Sequence, residues 1–137
     1  MMKFSTITSY GLRAMINLAK NHNRGSISLS KIAKTENISS GYLEKIFSKL
    51  KKAKLIKSAK GPTGGYILSA SPSKISISRI IKCLEGEKSL FYCLHNNQKI
   101  NCSQKCHCGV NKVLTNIEQA IKNSLDKLKL SDLIQKL

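Results

Sequence analysis

One stretch limits the fold more than any other: residues 39–70 read SSGYLEKIFSKLKKAKLIKSAKGPTGGYILSA. Leu43, Ile46, Phe47 and Leu50 recur at i, i+3, i+4 and i+7, the spacing of one buried helical face. Ser39 or Ser40 supplies the N-cap, because a serine hydroxyl accepts from the unpaired amides of a first helical turn. The helix ends near Ala53, and the pattern then changes period. KLIKSA and YILSA are two short extended runs flanking KGPTGG, whose glycines permit the positive φ angles of a tight loop. The chain therefore passes from an amphipathic helix straight into a β-hairpin, and other helices must cover the apolar stripe.

Those helices lie upstream. From Thr6, the residues Ile7, Tyr10, Leu12, Met15, Ile16, Leu18 and Ala19 predict an amphipathic helix that ends near Lys20, before the turn NHNRGS. Ser28 is the expected N-cap of a short helix, LSKIAKTEN, with Leu29, Ile32 and Ala33 inward. Three helices followed by a hairpin is the order of a winged helix-turn-helix. Beyond Pro72, ISISRIIKCLEG predicts a fourth helix over Ile77–Leu84. Val110 opens a final long helix striped by Val113, Leu114, Ile117, Ile121, Leu125 and Leu128. The expected fold class is mostly α with a small β-wing. It comprises a winged helix-turn-helix domain over residues 1–84, a cysteine-rich loop over 85–109, and a long helix with a terminal segment over 110–137.

Charge says what such a domain would meet. Lys and Arg number 24 against 7 Asp and Glu, a formal charge of +17. Nucleic acid is the usual partner of so basic a domain, because lysines that neutralise phosphates release counterions. The plainer reading is compositional drift, since 21 of those 24 are lysines. In a helix-turn-helix the second helix enters the major groove. With the apolar face inward, its outward set is Gly41, Tyr42, Glu44, Lys45, Ser48, Lys49 and Lys52. The candidate DNA-binding residues are Ser39, Ser40, Tyr42, Glu44, Lys45 and Lys49 on the helix, with Lys60, Thr63 and Gly64 in the wing. Glutamate can accept from cytosine N4, and the lysines suit phosphates. The N-terminus lacks the apolar run of a signal peptide, and no stretch has the ~18 apolar residues of a membrane span. A cytoplasmic location with reduced thiols is therefore expected.

The segment CLHNNQKINCSQKCHCG, residues 93–109, holds four of the five cysteines and two of the three histidines. An odd cysteine count in a reducing compartment argues against a disulfide framework. Zinc is one reading, since Cys and His are its tetrahedral donors. However, the intervals of eight, three and one intervening residues contain no C-x₂-C knuckle. Thiols that respond directly to oxidants are another reading, given neighbours such as Lys105. An enzyme drawn from CHC lacks a pocket and an oxyanion arrangement, so no catalytic residue is assigned. Cys83, in SRIIKCLEG, falls on an apolar face and is expected to be buried and inert.

TSYGLRAM, ISSGYLEKIFSKLKKAKLIKSAKGPTGGYIL and LKLSDLI together resemble the Rrf2 family of bacterial transcription regulators, in its IscR-like and NsrR-like iron–sulfur branch. The resemblance runs from about Met2 to Ile134. It implies a homodimer joined through the long C-terminal helix, a near-palindromic DNA operator, and a repressor sensing iron or cluster status, nitric oxide or redox stress. It also implies that Cys93, Cys102 and Cys108 hold an iron–sulfur cluster of two or four irons. The fourth ligand departs from the family pattern: Asn111 stands where one branch has His, and Ser9 where another has Asp. Cys106, His107 and His95 are the substitutes, Cys106 first. Zinc remains the alternative metal. The resemblance also places Glu44 at the base-reading acidic position and Lys60 at a wing position usually held by Arg. Gly41 replaces a polar residue that touches DNA in some members.

Overall fold

The computed structural model describes residues 5–61, 64–86 and 109–135 of the chain. Among the described residues, six α-helices and one hairpin follow in the order α1 (Thr6–Lys20), α2 (Leu29–Glu36), α3 (Ser40–Lys52), β1 (Ile56–Ala59), β2 (Gly65–Leu68), α4 (Ile77–Glu85), α5 (Gly109–Lys127) and α6 (Leu130–Gln135). The winged helix-turn-helix expected from the sequence is the observed fold, with a long helix after it. The candidate metal and thiol residues Cys93, His95, Cys102, Cys106, His107 and Cys108, and Thr63 of the wing, lie outside the described residues.

Serine caps start three of the helices. Ser28, Ser39 and Ser76 each accept a hydrogen bond from the backbone amide three residues on, at Lys31, Tyr42 and Arg79. Asn37 ends α2 in the left-handed conformation, φ 55°, and an asparagine tolerates that conformation better than most residues. That reversal, with buried Ile38 after it, sets the angle between α2 and α3.

The core forms where the predicted faces converge. Met15, Ile32, Leu43, Ile46, Phe47, Leu50, Leu55, Ile56, Ile75, Ile80 and Leu130 are almost wholly buried. The hairpin is antiparallel, with Ile56 opposite Leu68 and Ala59 opposite Gly65. Ile27 adds an isolated bridge to β2 by exchanging both backbone hydrogen bonds with Tyr66, at 3.1 and 2.8 Å. Gly65 allows this approach, since a Cβ there would collide with the Ile27 carbonyl.

Two features were not legible in the periodicity. The residues after Lys127 form α6 and return to α1, so Leu130 belongs to the main core and the C-terminal segment is not separate from it. The join is a backbone pairing in which Ile77 N donates to Leu128 O at 3.0 Å and Leu130 N to Ile75 O at 2.8 Å. The second feature is the start of α1. Ser5 makes no side-chain cap there and the first turn has no acidic residue. Glu85, at the far end of α4, supplies both. Its Oε1 accepts from Ser5 N and Ser5 Oγ, each at 2.7 Å, and from Thr8 Oγ1 at 2.5 Å. A carboxylate there also meets the positive end of the helix dipole.

Partial burial works against the Glu85 charge, but the hydrogen bonds from Thr8 and Ser5, aided by Lys49, outweigh it and hold its pKa below the ordinary value. A depressed folded-state pKa makes the contribution present above the unfolded value of about 4.3 and lost as pH falls through the folded value. Glu85→Ala is expected to lower urea-unfolding stability by about 1 kcal/mol at neutral pH. The deficit should shrink as the pH falls below the ordinary carboxylate range.

Candidate nucleic-acid interface

The helix-turn-helix is held by a polar knot at its back. Glu36, the last residue of α2, accepts from Arg13 Nε at 3.2 Å and from Asn17 Nδ2 at 2.9 Å, while Arg13 Nη2 donates to the Glu36 carbonyl. The Arg13 guanidinium also stands 5.6 Å from the centre of the Tyr10 ring. Tyr10 in turn meets Tyr42 of α3 edge-to-face, with centroids 5.6 Å apart and planes at 87°. A chain of contacts thus runs from α2 through α1 to the first turn of α3, fixing that turn's direction. Sequence reading missed Arg13 and Glu36 as partners, although YGLR does place Tyr10 and Arg13 one helical turn apart.

This knot changes the standing of Tyr42. The sequence sets it on the free face, whereas the structure half-buries it against Tyr10. An open depression of about 450 Å³ lies beside it, lined by Thr6, Tyr10, Asn37, Ile38, Ser39 and Tyr42. Ser39 uses its hydroxyl as the α3 cap, 3.3 Å from Tyr42 N. Ser40, Gly41, Glu44, Lys45, Ser48 and Lys52 are exposed along the outward face. Nothing stands within 4 Å of a Cβ built on Gly41, so the helix backbone itself is accessible there.

Lys49 is exposed but turned aside. Its Nζ lies 3.4 Å from the Leu84 carbonyl at the end of α4. The same edge of α3 is gripped twice more: Cys83 Sγ donates to Lys49 O at 3.2 Å, and Arg79 Nη2 to Ala53 O at 3.0 Å. The Lys49 carbonyl already accepts from Ala53 N at 3.1 Å, so Cys83 is its second donor, while Arg79 reaches the carbonyl of the C-cap residue Ala53. Cys83 is therefore half-buried and hydrogen-bonded rather than fully enclosed. Burial raises its thiol pKa against the opposing pull of Lys49 and Arg79.

In the wing, Lys60 is exposed at the end of β1, and Gly64 N donates to Gly61 O at 2.9 Å. Gly61 has φ +130°, a value suited to glycine. Lys54, Lys57 and Lys60 carry exposed positive charge from α3 into the hairpin. Among the described residues, no group of three or more His, Cys, Asp or Glu is placed to hold a metal ion.

A basic outward helix, a capped and braced helix-turn-helix and a lysine-bearing wing define a winged-helix DNA-binding regulator. The family model Rrf2, described as an iron-dependent transcriptional regulator, matches residues 4–136, and the chain belongs to that family. It is 39% identical over 132 residues to the transcriptional regulator CymR of Bacillus subtilis, covering 96% of this chain and 89% of that one. The solved structure of CymR, the global cysteine regulator of B. subtilis, superposes with a TM-score of 0.83 at 38% identity over 100% of this chain and 99% of that one. T. potens IscR superposes with a TM-score of 0.77 at 32% identity over 98% of this chain and 87% of that one. The relatives are named as transcriptional regulators, which gives this chain a non-enzymatic, DNA-binding role.

Removing the Glu44 carboxylate and removing the Lys60 charge should read differently. Glu44→Ala is expected to relax base preference at one operator position by about 1–3 kcal/mol, measured by binding to single-base operator variants. Lys60→Ala should weaken all sequences alike and lower the slope of log affinity against log salt by about 0.9 for each phosphate the lysine had neutralised.

Proposed function

We propose that this protein is a homodimeric repressor whose operator binding is controlled by an iron–sulfur cluster. The cluster is held by Cys93, Cys102 and Cys108, with Cys106 as fourth ligand ahead of His107 and His95. The observation that carries this reading is the donor set: four cysteines and two histidines fall within residues 93–108, in a chain that belongs to the Rrf2 family along nearly its whole length. Thiolates are the donors such clusters take, and a bound cluster supplies a centre that reacts with oxidants and nitric oxide. The donors lie in sequence between α4, which grips the recognition helix, and α5. A regulator acting through that junction must bind its signal differently in its two DNA-binding states.

DNA contact is assigned to Ser39, Ser40, Glu44 and Lys45 on α3, with Tyr42 braced behind them, and to Lys60, Thr63 and Gly64 in the wing. The dimer is assigned to α5. Val110, Val113 and Ile117 are 61%, 56% and 40% exposed, and they recur at i, i+3 and i+7 as a helix seam does. Apolar side chains so exposed at that spacing call for a covering surface, and a second copy of the same helix offers an identical one. Two recognition helices would then read a near-palindromic site.

A second reading has one observation in its favour. CymR, among the relatives, is named a global cysteine regulator, which supports direct thiol sensing without a cluster. Zinc held by the same donors is the third outcome of the same test. Protein purified without oxygen should be brown, with iron and acid-labile sulfide bound and little zinc. Cys102→Ala should remove the colour. A colourless protein with stoichiometric zinc would refute the cluster, and one with no metal would leave the thiol reading. For the dimer, Val113→Glu with Ile117→Glu should sediment as a folded monomer and bind the operator at least about a hundredfold more weakly, because avidity is gone.

A further inference from the structure

The recognition helix is anchored unevenly along its length. Leu43, Ile46, Phe47 and Leu50 bury its middle in the core, and Arg79 and Cys83 of α4 hold its last turn. The first turn relies on weaker supports. Its Ser39 cap reaches Tyr42 N at 3.3 Å, and no acidic residue stands there to meet the helix dipole. Gly41 also falls in that turn, and glycine is the poorest helix former after proline. Yet this is the end from which a helix-turn-helix reads base edges. Tyr42 braces it from outside by meeting the Tyr10 ring of α1 edge-to-face, with centroids 5.6 Å apart. The Tyr10 ring is itself backed by Arg13, which stands over it and is held in turn by the carboxylate and the carbonyl of Glu36. Tyr10, Arg13 and Asn17 recur at i, i+3 and i+7, so one stripe of α1 grips both the end of α2 and the start of α3.

We propose that Tyr10 is a positioning residue for sequence recognition: backed by Arg13, its ring sets the direction of the first turn of α3, and so which bases the exposed side chains of that turn reach, without touching DNA itself. The proposal rests on the DNA-binding role of the chain and assigns part of its selectivity to a residue outside the helix that enters the groove. Core burial alone does not supply this, because apolar burial is non-directional, whereas an edge-to-face aromatic pair prefers a particular angle.

The test uses the full chain and two fluorescein-labelled duplexes of equal length: one that the unaltered protein enriches from a random pool, and one of mixed sequence. Tyr10→Leu keeps an apolar side chain but loses the ring. It should lower the preference for the enriched duplex over the mixed one by about three- to tenfold, the weight of one aromatic pair, with binding to the mixed duplex unchanged. Tyr10→Phe keeps the ring and should retain the preference. In a Tyr42→Leu background, Tyr10→Leu should cost nothing further, since the partner ring is already gone. An equal loss of preference in both backgrounds, or a loss of affinity shared by the two duplexes, marks an effect that does not pass through Tyr42 and overturns the proposal, as does no loss at all. If the pool yields no enriched duplex, sequence-specific DNA binding itself fails and the proposal falls with it. Hydrogen exchange on the unaltered protein without DNA guards against misfolding of Tyr10→Leu. The Tyr42 and Leu43 amides, which donate to the Ser39 hydroxyl and carbonyl, should be protected before any DNA is added, and free exchange at both overturns the proposal.

Discussion

The grip of α4 on the helices around it is the constraint on which the remaining geometry depends. At its start, Ile77 N and the Ile75 carbonyl pair with Leu128 and Leu130, tying it to the end of α5 and the start of α6. Along its length, Arg79 and Cys83 donate to the last carbonyls of α3. At its end, Glu85 caps α1. Its apolar residues Ile77, Ile80 and Leu84 are meanwhile buried. One nine-residue helix therefore touches the recognition helix, the first helix and the long C-terminal helix. Buried apolar area holds α4 in place, but the directional polar contacts decide where α3 points.

Much of this fold could be read in the sequence because short-range rules govern it. Ser28 and Ser39 cap the helices assigned to them, and Leu43, Ile46, Phe47 and Leu50 bury the face their spacing predicts. The hairpin followed from its glycines. What escaped were pairings between residues far apart in the chain: Glu85 with Ser5, Arg13 with Glu36, and Leu130 with the core. No periodicity encodes such contacts, since each depends on how whole elements dock. Tyr42 and Lys49 illustrate the consequence at the candidate interface. Helical spacing places both near the outward face, and tertiary partners on α1 and α4 then claim them.

The electrostatic design separates two kinds of cation. Lys45, Lys52, Lys57 and Lys60 stand exposed, whereas Arg13 and Arg79 are spent on Glu36 and on the end of α3. With so few acidic residues in the chain, two that join separate helices stand out: Glu36 orients the helix-turn-helix, and Glu85 joins α1 to the end of α4. The proposed sensing residues follow Glu85 in sequence.

In the proposed function, the chemical state of the cysteine segment sets operator affinity. The direct measurement is anisotropy of one labelled operator with one anaerobic preparation, taken before and after iron is removed by chelation, with thiols kept reduced throughout. Affinity should change at least tenfold between the two states, equivalent to about 1.4 kcal/mol of coupling. Equal affinity before and after, with iron shown to have been present and then removed, would contradict it.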